Sequence, residues 1–330
     1  MFDLITIGDA TLDLFVVIDQ HTEGCSIDKN KKHLLLNYGE KIYIETTTQS
    51  MGGNAANVAV GAQTLGLKTA IATEVGADIN GYAIMHALSE AGVHTSLVKA
   101  LKGKETRYSV VLNYESERTI LSYHTPRIYT LPKLPSTAYL YYTSLGKSFE
   151  GLQDTMKKHV ERHPETRLVI NPGSYQLRYG MKKIQELFSR TFLAFFNKEE
   201  AAIVIGEKED IPKTIKKLHS FGIAHVAITD SERGSYASDG QTVWFLPPFP
   251  IAPLAKTGAG DAYASGFLSA LFYKKSIPDA MRWGTANAGG VIQEFGAQKG
   301  LLNNQRMRRV LAQYKKIVPE QYTKKAAQLD

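Results

Sequence analysis

The segment Lys256-Thr257-Gly258-Ala259-Gly260-Asp261-Ala262-Tyr263-Ala264-Ser265-Gly266 joins a glycine-rich loop to an apolar run with helical spacing. Two glycines remove side-chain bulk just before the predicted helix, which we place at 261–273. The free N–H groups of a first helical turn, with the positive end of the helix dipole, bind anions. The segment therefore predicts an anion site built from the amides of Gly258, Ala259 and Gly260.

Asp261 stands beside this predicted anion site, where a carboxylate repels a phosphate unless it has a chemical task. The simplest task is to accept a proton from a hydroxyl that attacks phosphorus. An ordinary aspartate has a pKa of about 3.9 and is ionised at neutral pH, as a base requires. The alternative is that Asp261 only caps the helix, because aspartate is common at that position.

Composition places the chain among ordinary globular proteins: it has 330 residues, 43% hydrophobic and 22% charged. No apolar run reaches the ~18 residues of a membrane span, and the first residues lack the basic region of a signal peptide. The single cysteine, Cys25, excludes an internal disulfide. We therefore expect a cytoplasmic protein without membrane contact. Much of the net charge of +7 lies in 301–330, which predicts a solvated basic helix face rather than nucleic-acid binding.

Short β-rich runs alternate with helical periodicity along the chain. Strands are predicted at 4–8, 69–73, 138–143, 168–171, 192–196 and 225–229. Further helices are predicted at 55–65, 81–91, 149–162, 181–188, 198–205, 212–221, 278–295 and 304–317. This alternation predicts an α/β fold with a central, mostly parallel sheet flanked by helices, and ligands at the carboxyl ends of its strands. No linker divides the chain, so we expect one domain over 1–330.

Two stretches, 14–48 and 106–125, contain strand-like pieces without helices, and 106–125 has the pattern of a hairpin. Strands of this kind do not join a parallel core easily, so the two insertions predict a small separate β-sheet. Such a sheet would form a lid that excludes water, a competing nucleophile in phosphoryl transfer. The alternative is an edge sheet without a role. An exposed lid edge also favours a homodimer through the lid.

A second glycine cluster, Ser50-Met51-Gly52-Gly53-Asn54-Ala55-Ala56-Asn57, permits close backbone approach and carries amides that both donate and accept hydrogen bonds. Sugar hydroxyls need both. Asp13 follows the first strand, where a carboxylate could bind two adjacent hydroxyls of an acceptor. Arg107 lies on the predicted lid and could contact a phosphate or carboxylate of the acceptor. We therefore take Asp13, Gly52, Gly53, Asn57 and Arg107 as candidate substrate-binding residues. Alternatively, the glycines only form a turn and an asparagine caps the next helix, while Asp13 and Arg107 are simply solvated.

The segment Asn197-Lys198-Glu199-Glu200 opens a helix after a strand, and the capping-box pattern alone explains it. The functional interpretation places Asn197 near phosphate and Glu200 near Mg²⁺, through water. Gly146-Lys147-Ser148 resembles the end of a Walker loop but lacks its earlier glycine. The chain also lacks a dinucleotide fingerprint, which argues against a nicotinamide enzyme.

Taken together, these motifs resemble those of the ribokinase-like (PfkB) family of sugar and nucleoside kinases. The matching segments are Gly52–Asn57, Val75-Gly76-x-Asp78-x-x-Gly81, Asn197-x-x-Glu200, Thr229 with Gly234, Thr257–Gly266 and 286–297. The resemblance implies an α/β core with a β-lid, and ATP- and Mg²⁺-dependent phosphorylation of a hydroxymethyl group.

The resemblance also implies roles for particular residues. Asp261 would be the base, the Gly258–Gly260 amides the anion hole, and Asp13, Gly53 and Asn57 the acceptor site. Asn197, Thr229, Gly234, Thr257 and Asn287 would hold the nucleotide, with Glu200 serving magnesium.

The chain departs from the family before the anion hole, where many members have an aspartate that helps bind an activating monovalent cation. Ala255 stands there and offers no carboxylate. We therefore expect independence from K⁺, with the Lys256 ammonium as a substitute positive charge. The alternative is that Lys256 points to solvent and the cation site is simply lost.

Acceptor identity stays open at this point. An unphosphorylated sugar ranks first and a nucleoside second. The nucleoside is kept because three lid tyrosines, Tyr108, Tyr114 and Tyr123, could stack on a base; alternatively, these tyrosines only pack within the lid. A non-catalytic sugar or nucleotide sensor is the third interpretation, and the intact Asp261 argues against it.

Overall fold

The structure, a computed structural model, describes residues 1–28, 30, 33–115, 117–123 and 125–322. Its strands are β1 Phe2–Ile7, β2 Thr11–Ile18, β3 Cys25–Asp28, β4 His33–Leu36, β5 Ile44–Gly52, β6 Thr69–Gly76, β7 Val98–Leu101, β8 Tyr108–Tyr114, β9 Glu117–Tyr123, β10 Thr137–Tyr142, β11 Arg167–Ile170, β12 Thr191–Asn197, β13 His225–Thr229, β14 Ser235–Ser238, β15 Val243–Leu246 and β16 Glu320–Gln321. Its α-helices are α1 Asn54–Thr64, α2 Ile79–Glu90, α3 Glu150–Arg162, α4 Ser174–Tyr179, α5 Met181–Gln185, α6 Lys198–Ile205, α7 Ile211–Ser220, α8 Ala259–Phe272, α9 Ile277–Val291 and α10 Asn304–Gln313.

The central sheet has ten strands in the order β16-β15-β14-β13-β12-β11-β10-β1-β6-β7. From β7 to β13 neighbouring strands run parallel, whereas β13 to β16 form an antiparallel edge. All six predicted strands are present in the parallel part. The antiparallel edge was not predicted, because its strands span four residues or fewer and show too little patterning.

Helices cover both faces of the central sheet. Side chains from α3 to α7 pack on one face around Leu140, Tyr142 and Phe196. Side chains from α1, α8, α9 and α10 pack on the other face around Tyr141, Phe195 and their neighbours. A parallel sheet needs this two-sided cover, since its strands are apolar on both faces. Among the described residues, no helix is long and apolar enough to cross a membrane.

A small separate sheet, the lid sheet, has the strand order β5-β2-β8-β9. It is built from the two predicted insertions, with β2 parallel to β8 and antiparallel to β5. The polar excursion between β2 and β5 forms a distinct two-stranded hairpin, β3–β4, rather than a further strand of the lid sheet. Val16, Ile18 and Tyr114 of the lid sheet bury one of its faces in a cluster with Cys25 of this hairpin.

The helix predicted at 181–188 is wrong in its second half. Helix α5 ends at Gln185, and a 3₁₀ turn at Phe188–Arg190 leads into β12. Leu187 and Phe188 are both buried at this turn, so their apolar character reflects core packing rather than a continuing helix. The preceding helix α4 was not predicted.

Candidate active site

A cavity of about 680 Å³ lies between the carboxyl ends of the parallel strands and the inner face of the lid sheet. Its lining brings together Asp13, Gly53, Asn57, Asn197, Glu200, Thr229, Thr257, Gly258, Gly260 and Asp261 from widely separated parts of the chain. The other candidates, Gly52, Arg107, Gly234, Ala259 and Asn287, do not line the cavity. Most of the predicted site is therefore one physical site.

Helix α8 begins at the cavity with Gly258 as its N-cap residue, at φ 79°. A Cβ at Gly258 would lie 2.6 Å from Cα of Ala297, so both the conformation and the close approach require glycine. A Cβ at Gly260 would meet nothing within 4 Å, which leaves space in front of the first helical turn. Amides at these positions have no intrahelical acceptor. The helix terminus therefore has the form of the predicted anion site.

Asp261 is the third residue of α8 and does not cap it, so the simple capping alternative is wrong. Its Oδ2 accepts a hydrogen bond of 2.8 Å from Nδ2 of Asn57, across 204 residues of sequence. The Asn57 Oδ1 in turn accepts from Nε2 of Gln298 at 2.9 Å. These contacts fix the Asp261 carboxylate at the cavity wall, where it is only 7% exposed.

Burial raises the pKa of Asp261 from 3.8 to about 7, and the nearby Glu200 and Asp13 carboxylates act in the same direction. The hydrogen bond from Asn57 opposes this shift. The sequence-based expectation of an ordinary, fully ionised aspartate is therefore corrected for the free protein. A pKa near the working pH suits a general base.

Asp13 lies on β2 and reaches the cavity from the lid side. Its Oδ1 accepts a hydrogen bond of 3.1 Å from Oγ1 of Thr11, and burial raises its pKa. Gly52 pairs with Thr11 on the neighbouring strand, and a Cβ there would lie 2.0 Å from Oδ2 of Asp13. Gly52 thus acts behind the lining, by leaving room for the carboxylate.

Gly53 is the N-cap residue of α1 at φ 91°, and a Cβ there would lie 2.4 Å from the Asp9 carbonyl oxygen. It therefore brings the start of α1 against the end of β1, and places Asn57 one turn further along the helix.

Arg107 lies behind the cavity wall rather than on an exposed lid surface, since it is only 3% exposed. Its Nη1 donates to Asp9 Oδ1, and its Nη2 to the Tyr129 hydroxyl. Burial raises the pKa of Asp9 to about 6, against the pull of Arg107. In this structure the guanidinium holds Asp9, which lines the cavity, instead of facing an acceptor itself.

The nucleotide candidates Asn197 and Glu200 form a capping box at the start of α6. Asn197 Oδ1 accepts from the Glu200 amide at 2.8 Å, and Glu200 Oε2 from the Asn197 amide at 2.9 Å. Both residues also line the cavity, so the cap and the functional interpretation are compatible. Burial raises the pKa of Glu200. The described residues contain no cluster of three acidic, histidine or cysteine side chains suited to hold a metal ion.

Asn287 does not face the cavity. It is fully buried, where Nδ2 donates to the Ala262 carbonyl and Oδ1 accepts from the Leu302 amide. The side chain therefore ties α9 to α8. Gly234, at φ 105°, allows the tight turn between β13 and β14, where a Cβ would lie 2.3 Å from the Leu246 carbonyl oxygen. Neither residue lines the cavity.

The loop that leads into α8 is fixed by contacts around Ala255. The amides of Leu254 and Ala255 both donate to the Ile292 carbonyl oxygen, at 2.7 and 3.1 Å. Lys256 lines the cavity and its Nζ lies 3.0 Å from Oε1 of Glu232. Lys256 is thus half-exposed but paired, and Ala255 offers no carboxylate to a monovalent cation.

The lid tyrosines point away from the cavity. Tyr108 and Tyr123 contact each other with ring centroids 5.1 Å apart, whereas their chain neighbours Ser109 and Ser122 line the cavity. Alternate residues of a strand face opposite sides of its sheet. Tyr114 is buried against Cys25, to whose carbonyl its hydroxyl donates. Stacking of an acceptor base on these rings is therefore not supported.

Sequence reasoning missed many residues of the lining, among them Asp9, Lys147, Tyr175 and Tyr263. Asp9 follows the first strand, the position that drew attention to Asp13, and was open to the same inference. Lys147 was noted only as part of a false Walker motif, and Tyr175 lies in the unpredicted α4.

The pfkB family carbohydrate kinase model matches residues 14–304, so the chain belongs to this family. Ribokinase from Bacillus subtilis is 26% identical over 309 residues, which cover 91% of this chain and 96% of the relative. Cytidine kinase from Thermococcus kodakarensis is 26% identical over 310 residues, covering 90% and 98%. The protein is thus a carbohydrate or nucleoside kinase of the ribokinase family.

Solved structures confirm the fold. Ribokinase from Arabidopsis thaliana, determined with ribose and ATP, superposes with a TM-score of 0.77 at 21% identity, over 94% of this chain and 98% of that one. The nucleoside kinase of Methanocaldococcus jannaschii gives a TM-score of 0.75 at 20% identity, over 94% and 99%. The prediction of a ribokinase-like sheet with a small separate β-sheet is confirmed.

Proposed function

We propose that the protein transfers the γ-phosphoryl group of ATP to a hydroxymethyl group of a small unphosphorylated sugar, with Asp261 as the general base. One observation carries this proposal: a buried carboxylate stands in the first turn of a glycine-capped helix and faces the same cavity as Asp13. This arrangement supports the proposal, because a proton acceptor, an anion site and a carboxylate able to bind hydroxyls would all share one cavity.

Each group has a separate task in this reaction. The amides at the start of α8 stabilise negative charge that develops on the transferred phosphoryl group. Asp261 accepts the proton of the attacking hydroxyl, and Asn57 holds its carboxylate in place. Asp13 binds neighbouring hydroxyls of the acceptor. The lid sheet covers the acceptor and excludes water.

Magnesium binds substrate phosphates with one or two protein carboxylates and several waters, rather than a cage of protein ligands. Glu200 fits that mode, because it lines the cavity as a single carboxylate and uses one oxygen for the α6 cap. When bound, Mg²⁺ would neutralise charge on the ATP phosphates. Asn197 and Thr229 are neighbours on β12 and β13, and Thr257 also lines the cavity; these three residues would hold the nucleotide.

A sugar acceptor is favoured over a nucleoside because the lid residues described in the lining include hydroxyls but no aromatic ring. Ser109 and Ser122 present hydroxyls to the cavity next to Asp13, whereas the lid tyrosines face the other way. The likeness to cytidine kinase keeps a nucleoside as the second candidate. Carboxylates at Asp9 and Asp13 are suited to either acceptor, since both carry adjacent hydroxyls.

The experiment measures ADP release from ATP·Mg²⁺ with a panel of pentoses, hexoses, sugar acids, sugar phosphates and nucleosides. Wild type is compared with Asp261→Asn and with Asp154→Asn, a surface control on α3 that pairs with Lys183. We expect one class of sugar to give turnover that Asp154→Asn retains and Asp261→Asn loses. Turnover with nucleosides alone would replace the sugar by the second candidate. Acceptor binding without any turnover would refute the kinase proposal in favour of a sensor.

A further inference from the structure

Tyr129 is a buried tyrosine that none of the sequence motifs includes. It lies in the irregular segment between β9 and β10 and is only 5% exposed. Its ring belongs to the core cluster on one face of the central sheet, and the Arg107 guanidinium lies 5.0 Å from the ring centroid. A phenylalanine ring would pack in the same way, so the Tyr129 hydroxyl requires an explanation of its own.

The Tyr129 hydroxyl joins three hydrogen bonds. It accepts from Nη2 of Arg107 and, at 2.8 Å, from the Gly146 amide. It donates its proton to the Asp9 carboxylate, and this contact lowers the pKa of Asp9 against the rise that burial causes. Because Nη1 of Arg107 donates to the same carboxylate, Asp9, Arg107 and Tyr129 form a closed ring of contacts.

Tyr129 does not line the cavity, but two of its partners do. Asp9 lies in the loop after β1, and Gly146 lies in the loop after β10. These two loops also contact each other directly, since the Asp9 amide donates to the Ser144 carbonyl oxygen at 3.0 Å. The Tyr129 hydroxyl therefore fixes two neighbouring loops of the cavity wall, and the Asp9 side chain with them.

The Asp9 carboxylate retains hydrogen-bonding capacity for a ligand. An ionised carboxylate has about four acceptor positions, and Arg107 and Tyr129 each use one of them. Its side chain is 10% exposed and lines the cavity, so the remaining positions are available to donors there. Hydroxyls of a sugar are such donors, and they bind well only to a carboxylate that is held in a fixed orientation.

We propose that Tyr129 is a positioning residue for the acceptor, because its hydroxyl holds the Asp9 carboxylate in the orientation that binds acceptor hydroxyls. The inference rests on the proposed function, since it needs an acceptor beside Asp9. Replacing Tyr129 by phenylalanine keeps the ring and removes all three hydrogen bonds. The Gly146 amide then loses its acceptor, and Arg107 alone holds the carboxylate.

The test compares wild type with Tyr129→Phe in steady-state kinetics, with the acceptor found in the panel varied in one series and ATP in the other. We expect the KM for the acceptor to rise about 10- to 100-fold, the usual effect of removing a hydrogen bond to a charged group. The kcat and the KM for ATP should stay within about threefold, because Asp261 is held separately by Asn57.

Tyr139→Phe is the matched control. Tyr139 is also buried, at 3% exposure, and its hydroxyl accepts from Nη1 of Arg167 at 2.9 Å, but it does not line the cavity. Both variants should lose stability in urea titrations through the lost hydrogen bonds, and only Tyr129→Phe should raise the KM for the acceptor. In an Asp9→Asn background, adding Tyr129→Phe should raise this KM little further, because the tyrosine acts through Asp9.

The outcomes distinguish the two proposals. Wild-type protein that turns over no acceptor would overturn the proposed function, and this inference with it. Turnover by wild type combined with an unchanged acceptor KM in Tyr129→Phe would overturn only the positioning role. Equal increases in the KM for acceptor and ATP would also overturn it, as would an undiminished effect of Tyr129→Phe in the Asp9→Asn background.

Discussion

Replacing Gly52 by alanine tests how the acceptor site is built. A Cβ at Gly52 would lie 2.0 Å from Oδ2 and 2.6 Å from Cγ of Asp13. The backbone of Gly52 is not left-handed, so alanine is tolerated there except for this contact. The Asp13 carboxylate must therefore move away from its present position on β2, and the hydrogen bond of 3.1 Å from Thr11 is lost.

The expected effect follows from the hydroxyl contacts that Asp13 is proposed to make. A hydrogen bond to a charged group contributes about 1.5–3 kcal/mol, so one lost contact lowers kcat/KM for the acceptor about 10- to 150-fold. The KM for ATP should stay within about twofold, because the nucleotide candidates lie on the far side of the cavity.

Steady-state kinetics with the acceptor found in the panel provide the assay. Gly151→Ala is the matched control, since a Cβ there meets nothing within 4 Å. In an Asp13→Asn background, adding Gly52→Ala should change the acceptor kcat/KM little further, because both substitutions remove the same contact. An acceptor kcat/KM within twofold of wild type in Gly52→Ala would refute the role given to Asp13.

Three further predictions follow from the same geometry. Burial raises the pKa of Asp261 from 3.8 to about 7, so between these pH values the folded state binds a proton that the unfolded state does not. The folded state therefore loses stability as pH rises through this range, and the melting temperature of Asp261→Asn should rise relative to that of wild type from pH 5 to pH 8. The kcat/KM of wild type should rise over pH 6–8, and a flat profile would contradict this base. Arg107→Met breaks the buried pair with Asp9 and should lower the free energy of unfolding by about 3–5 kcal/mol in urea titrations. The double variant Arg107→Met/Asp9→Asn should lose less stability than the two single variants lose together. Rates in K⁺ and in a large organic cation should agree within about twofold because Ala255 offers no carboxylate, and strong activation by K⁺ would exclude K⁺ independence.

Six strands of the parallel core were predicted because they are short apolar runs, and β6, β10, β11 and β12 are each followed by a helix. The edge strand β7 was not predicted, because its residues are partly exposed and do not form an apolar run. Glycine at Gly258 and Gly53 also gave a correct signal, since each occupies a left-handed conformation against a neighbouring backbone. The strand patterns and the glycine positions depend on neighbouring residues in the chain, so they can be recognised in the sequence. The polar lining followed from them, because the carboxyl ends of parallel strands meet at one edge.

Contacts between distant segments explain what the sequence did not predict. In the sequence, Arg107 resembles a surface residue at the start of a hairpin. Only the fold places it against Asp9, 98 residues away in the chain, and Tyr129, 22 residues away. The same holds for Asn287, whose motif suggested a ligand contact but whose amide joins two helices. The raised pKa of Asp261 likewise depends on burial, which no motif specifies.

The central claim is that Asp261 takes the proton of the acceptor hydroxyl, and the most direct measurement is kcat of Asp261→Asn with the acceptor found in the panel. A general base contributes about 10²–10⁴ in rate, so kcat should fall by that factor while calorimetry shows ADP binding unchanged. A kcat within a few-fold of wild type, with acceptor and nucleotide both bound, would contradict the claim.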